Sequence, residues 1–218
     1  PPRSTLFPYT TLFRSVYDDF SVEMWIRPNP IPAENQQQAL WSTQAESSRG
    51  FRLFIADFGA SEGTFQIGFE ARDTNGAIQG ANRNYSDNRY DFNQWHQVVA
   101  VYDANAVGDG EKVVMKVYVD GQLDSDTIPF GVYLDDLKMY SRAALGCNYI
   151  SSTNYIAKDN KMYYGGGMSL VRVYNRTLDD AQVAFNYEKD KTWIIDNLPY
   201  DPSVDPVYAP TEHFEVPG

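Results

Sequence analysis

The sequence predicts an all-β fold: a two-sheet antiparallel β-sandwich of jelly-roll type, with one short C-terminal helix and an extended C-terminal arm. Three observations predict it. Aromatic residues make up 15% of the 218-residue chain, led by 16 Tyr and 12 Phe, and such side chains favour strands. Apolar and polar residues alternate at period two in segment after segment. Turn-forming residues separate those segments, and a single helical pattern stands near the end. The length suffices for one large domain with a substantial core.

The chain divides into residues 1–15, 16–190 and 191–218. The run Thr5–Ser15 (TLFPYTTLFRS) reproduces, codon for codon, the forward translation of a common short-read sequencing adapter. It is therefore read as an adapter-derived artefact and set aside, as a tag would be. On this reading the native chain becomes visible near Val16, upstream segments are lost from view, and the source is an environmental (metagenomic) open reading frame.

The strands follow in order. Phe20–Arg27 alternates apolar and polar residues and stops at the Pro28–Pro32 loop. Ala39–Thr43 and Phe51–Ala56 come next, then Gly63–Glu70 with Phe65, Ile67 and Phe69 on one face. Residues 71–93 are polar and read as long loops with room for one short strand. Trp95–Tyr102 and Lys112–Val119 are the strongest strands, and Asp120-Gly121 signals a hairpin turn into Gln122–Ile128. Residues 129–166 carry short apolar pieces, and Gly165–Gly167 reads as a hinge before the strand Met168–Tyr174. Leu178–Tyr187 is the helix, expected at the sandwich edge with Thr177 as N-cap and two acids in its first turn.

Three segments share one family pattern. Phe20–Pro28, Trp95–Asp103 with Val117–Gly121, and Gly167–Leu178 running into the helix resemble, in that order, the opening strand, central hairpin and closing signature of laminin-G-like domains. Those domains are members of the concanavalin A-like lectin and glucanase fold. The resemblance covers roughly residues 16–188 and implies an extracellular or cell-surface domain that binds glycans or proteins and sometimes calcium. Ser169 stands where the closing strand of the family often carries an acid. These motifs specify architecture better than activity.

The chemistry-bearing residues narrow the function classes. Twenty-nine acids against 18 bases give a net charge of −11, which leaves no basic stripe for nucleic acid. No apolar run reaches membrane-spanning length. The lone Cys147 excludes an internal disulfide framework, and the two histidines, His96 and His213, leave little for a zinc site. Glycosidases of this fold carry three acids at alternate positions on one strand; here Glu23 has Ser21 and Trp25 at those positions, and Glu70 is followed by Asp73 at the wrong parity. A non-enzyme is expected. No cofactor is expected beyond calcium, for which Asp103–Gly110, Asp18-Asp19 and Asp135-Asp136 are candidates against the plainer reading of solvated loop acids. Asn84 and Asn175 open N-glycosylation tripeptides.

Two functional readings emerge. The first is a structural subunit that assembles head-to-tail with copies of itself, as a filament or surface layer, through the arm and sheet edges. The arm's apolar residues Trp193, Ile195, Leu198, Val204, Val207, Tyr208 and Phe214 would dock on the neighbour. The second is a carbohydrate-binding adhesion module using Tyr85, Tyr90, Tyr140, Tyr149, Tyr155, Tyr163 and Tyr164 on its loops.

Overall fold

The structure is a computed structural model that describes residues 19–31, 36–43, 50–57, 63–72, 82–107, 112–127, 143–147 and 162–198. Strand β1 is Phe20–Pro28, β2 Gln37–Ser42, β3 Gly50–Ala56, β4 Thr64–Arg72, β5 Asn82–Tyr85 and β6 Tyr90–Asp91. They are followed by β7 His96–Val107, β8 Lys112–Val119, β9 Gln122–Thr127, β10 Ala144–Leu145 and β11 Gly166–Tyr174, then the helix α1, Asp180–Asn197. One sheet has the order β11-β1-β7-β8-β9; the other runs β10-β2-β3-β4-β5, with β6 paired to β4. All pairings are antiparallel.

Period-two alternation builds the core. Phe20, Val22, Met24 and Ile26 of β1 and Val98, Ala100 and Tyr102 of β7 face Phe51, Leu53, Ile55, Phe65, Ile67 and Phe69 across the sandwich. The Phe20 ring lies 4.8 Å from Phe51, edge to face, and 5.3 Å from Tyr102. Truncating such a buried aromatic costs about 3–5 kcal/mol. The expected core residues Trp25, Phe54, Val99, Val101 and Val117 are buried, and Val171 is half-buried. Of these, Trp25, Val99 and Val101 lie on the outer face of the five-stranded sheet, because they sit at the opposite parity to Met24 and Ala100.

Turn chemistry acts where expected. Asp120 (φ 50°) and Gly121 (φ 81°) both take positive φ, as a two-residue type I′ turn between β8 and β9 requires. The polar stretch 71–93 holds two short strands, β5 and β6, rather than one. Gly166 and Gly167 of the expected hinge belong to β11 itself, paired with Pro28 and Arg27.

The helix differs from expectation in three ways. Asp179, not Thr177, caps it: its carboxylate accepts from the Gln182 amide at 2.8 Å, and Gln182 reaches back to the Asp179 N–H, forming a capping box. It runs through Asn197, so a boundary at 190/191 falls inside it, and residues 191–197 are helical rather than extended. The physical reason is that the first proline after its start is Pro199; nothing earlier removes a backbone donor, and Leu198 ends the helix just before that proline. Finally, α1 lies across the outer face of the five-stranded sheet rather than at its edge. Tyr187 stacks on Trp25 at 5.6 Å, Tyr118 donates to Asp180 at 2.8 Å, and Val183 and Leu178 pack with Val99 and Val101.

Candidate functional site

The outer face of the five-stranded sheet positions a buried carboxylate. Glu23 faces α1 because its neighbours Val22 and Met24 point into the core. It is fully buried and accepts four hydrogen bonds. Its Oε1 takes Gln97 Nε2 at 2.7 Å and Arg172 at 3.1 Å. Its Oε2 takes the Tyr174 hydroxyl at 2.6 Å and Asn186 Nδ2 at 2.9 Å. A carboxylate has about four acceptor positions, so this one is saturated.

A bulge on β11 sets the geometry. The register shifts from Glu23↔Arg172 to Trp25↔Ser169, and Leu170 adopts φ 46°, a region costing a side-chain residue about 1–2 kcal/mol. Arg172 and Tyr174 therefore lie beside β1 on the helix-facing side. Burial alone would lower the Arg172 guanidinium, but its bond to Asp190 (2.5 Å) and the charges of Glu23 and Asp190 outweigh that and raise it. Burial, then the hydrogen bond to Glu23, pushes the Tyr174 phenol up, so it stays a neutral donor.

Above this network a groove of about 360 Å³ opens between the end of β11 and the first turns of α1. Its apolar lining comes from Tyr174, Leu178, Ala181 and Phe185, and its polar lining from Arg176, Asp179, Gln182 and Asn186. Phe185 is 67% exposed, unusual for so large an apolar side chain. The volume lies at the small end of the range typical for ligand sites, about 300–1,000 Å³. Sequence reading missed these residues. One signal was available: Phe185 stands two residues after the buried Val183, out of phase with the helix's buried face.

The sequence-derived candidates fall elsewhere. Trp193 (49% exposed) and Ile195 (58%) project from the last turns of α1. Leu198 is half-buried at the helix end, where its carbonyl accepts from Trp95 Nε1 at 2.5 Å. Val204, Val207, Tyr208 and Phe214 lie outside the described residues, as do residues 1–15 and Asp18, Asp135 and Asp136. Asn84 belongs to β5, and Asn175 is exposed in the bend after β11.

Among the proposed sugar-binding tyrosines, Tyr140, Tyr149 and Tyr155 lie outside the described residues. Tyr90 donates to Asp124, and its phenol is pushed up by burial and then by that bond. Tyr164 donates to the Gly167 carbonyl at 2.8 Å, and Tyr85 packs edge-on against Phe54. Tyr163 is exposed. The calcium candidate Asp103–Gly110 is not wholly a loop, because β7 continues through Val107. Among the described residues, no three His, Cys, Asp or Glu side chains gather into a metal-binding group. His96 bonds Asp120 at 2.8 Å, and Cys147 is buried, which raises its thiol. No described helix is long and apolar enough to cross a membrane.

Known structures share the architecture. The binding domain of botulinum neurotoxin serotype G superposes with a TM-score of 0.56 at 12% identity, covering 82% of this chain and 38% of that one. The serotype D/C binding domain gives 0.53 at 14% identity, covering 80% and 37%. A Bacteroides ovatus protein proposed to bind carbohydrate gives 0.51 at 17% identity, covering 77% and 40%. The chain thus spans about two fifths of the length of these structures, and at such identities the likeness establishes the fold alone. No curated protein matches the chain. The laminin-G family model described as the concanavalin A-like lectin/glucanases superfamily matches residues 7–184, and the chain belongs to that family.

Proposed function

We propose that the protein is a non-catalytic, extracellular glycan-binding module of lectin type, with the β11–α1 groove as its ligand seat. The observation that carries this reading is Phe185, a largely exposed aromatic ring beside amide, carboxylate and guanidinium side chains in one concave site. A ring of this kind stacks on the C–H face of a sugar, and mixed polar groups meet its hydroxyls. The fold's membership and the binding-domain descriptions of structural neighbours point the same way. The absence of catalysis is supported by the state of the two strand glutamates: Glu23 is saturated with donors, and Glu70 is sealed in an ion pair with Arg52 at 3.1 Å. Neither is open to a substrate. Binding to an immobilised glycan panel that Phe185→Ala abolishes is the expected result; hydrolysis of a bound glycan would overturn the non-catalytic assignment.

Exposure of Trp193 and Ile195 at the end of α1 favours a second reading, the self-assembling subunit. Their burial against another copy would remove two large apolar side chains from water, each contributing about 1.5–3 kcal/mol. Deleting residues 199–218, with and without Trp193→Ala and Ile195→Ala, tests it by sedimentation and electron microscopy. A loss of assembly supports exchange between copies, and unchanged assembly removes these residues as the connector.

A further inference from the structure

The polar atoms of the groove are committed in complementary ways. Asn186 Nδ2 donates to Glu23 Oε2 at 2.9 Å and to the Tyr174 hydroxyl at 3.2 Å. An amide nitrogen carries two hydrogens, so both are spent; the carbonyl Oδ1 is the amide atom without a partner among the described residues, and Asn186 lines the groove. Gln182 is arranged in reverse. Its Oε1 accepts from Arg176 Nη1 at 2.7 Å and from the Asp179 N–H at 3.3 Å, leaving its amide hydrogens uncommitted. Residues 182 and 186 are one turn apart on the same helix face, so a fixed acceptor and a fixed donor stand side by side. Arg176 and Asp179 add opposite charges that cancel formally.

A cation or an anion entering this groove meets one like charge for each opposite one. A sugar hydroxyl, both donor and acceptor, is matched at each amide. We infer that the groove seats one neutral sugar residue with Phe185 against its C–H face, and that Glu23, out of ligand reach, sets which hydroxyl is recognised by locking Asn186 carbonyl-outward. This rests on the glycan-binding reading and gives it a ligand class and a positioning residue.

The lock has a chemical cause. A carboxylate only accepts, so Glu23 draws the amide hydrogens of Asn186 inward. Glu23→Gln keeps the shape but introduces an NH₂ group that must face an acceptor. At the Oε1 position Arg172 cannot accept, whichever way Gln97 turns, so the carbonyl oxygen stays there. The NH₂ takes the Oε2 position, where Asn186 and the Tyr174 oxygen can accept. In the variant Asn186 therefore turns its carbonyl inward and presents its hydrogens to the groove.

Two measurements on the full chain test this. In ¹⁵N-labelled protein, the Asn186 side-chain amide signals, assigned by their loss in Asn186→Ala, are expected to exchange slowly with solvent, and to exchange fast in folded Glu23→Gln. Binding is then measured to neutral, sialylated and sulfated oligosaccharides, and to mono-O-methyl ethers of each neutral binder. Wild type should reject the ether that blocks the donating hydroxyl by about tenfold or more, and Glu23→Gln should lose that discrimination, because the lost contact is one hydrogen bond with an otherwise unpaired partner. Fast exchange at Asn186 in wild type overturns the lock whatever binds. Slow exchange with no glycan bound overturns the glycan-binding reading instead. Preference for acidic glycans refutes the neutral ligand class, and binding untouched by Phe185→Ala refutes the groove as its seat.

Discussion

The outer faces of the two sheets each bury a Glu–Arg pair placed directly opposite on neighbouring strands, yet the pairs are built for different ends. On the six-stranded sheet Arg52 of β3 meets Glu70 of β4, with side chains 2% and 0% exposed. The guanidinium lies over the Phe54 ring at 4.6 Å and also reaches Gln37 and Met162. Gly68 makes room for that ring, since a Cβ there would fall 2.2 Å from it. On the five-stranded sheet Glu23 meets Arg172, but Arg172 is 30% exposed and has a second carboxylate, Asp190. The Glu23 network continues through Tyr174 and Asn186 to the lining of an open groove. The first pair is closed and structural. The second joins buried charge to a surface that a ligand can reach.

This contrast can be broken most directly at the closed pair. Glu70→Ala removes the carboxylate 3.1 Å from a buried guanidinium and is expected to cost about 3–5 kcal/mol. Glu23→Gln retains most donors and leaves Arg172 its Asp190 partner, so it should cost less, about 1–3 kcal/mol. Urea denaturation of both variants checks the order; an equal cost would erase the distinction between the two faces.

Alkaline pH comes next in magnitude. Burial pushes the Tyr102 phenol above its ordinary value of 10.0, with Asp19 adding to the effect. The folded chain then holds a proton that the unfolded chain releases. Stability is thus fully present below about pH 10 and falls as pH rises beyond it, by about 1.4 kcal/mol per pH unit for this tyrosine alone. Burial raises Tyr174 and Tyr118 on the helix-covered face in the same direction. Urea midpoints at about pH 8 and about pH 11, read with tyrosinate absorbance, check the sign.

Smaller effects sharpen the groove side. Asp179→Ala removes the N-cap of α1 and should cost about 1 kcal/mol, measurable as a lowered Tm. Phe185→Ala removes an exposed ring and should change stability by no more than about 0.5 kcal/mol while abolishing glycan binding. A large stability loss there would mark Phe185 as a packing residue and not part of a ligand seat.

Much of the scaffold was legible in the sequence. Alternation marks β1, β4, β7 and β8, because successive side chains point to opposite faces and the core-facing set is uniformly apolar, even though β1 is buried on both faces. Asp120-Gly121 announced its turn, because few residue pairs tolerate two positive φ angles. The helix's existence is also legible, but its Asp179 cap, its extent to Asn197 and its place on the sheet face are not. Prolines beyond residue 198 are compatible with an extended segment there, but they place no limit on the helix before Pro199. The groove was hidden. Glu23 reads as one polar residue on an alternating strand, with no suitable acid at its paired positions, and Phe185 reads as another apolar helix residue.

What the sequence by itself determined is therefore the longer strands, the hairpin turn and the segments that carry the family pattern, each encoded within about a dozen residues; the short β5, β6 and β10 were not among them. The tertiary structure decided what those elements do to one another. The four donors to Glu23 come from positions 74, 149, 151 and 163 residues away. The groove exists only because α1 crosses the sheet face above them. A buried carboxylate takes its partners from whatever the fold brings within hydrogen-bond distance, and separations of that size leave no local trace in the order of amino acids.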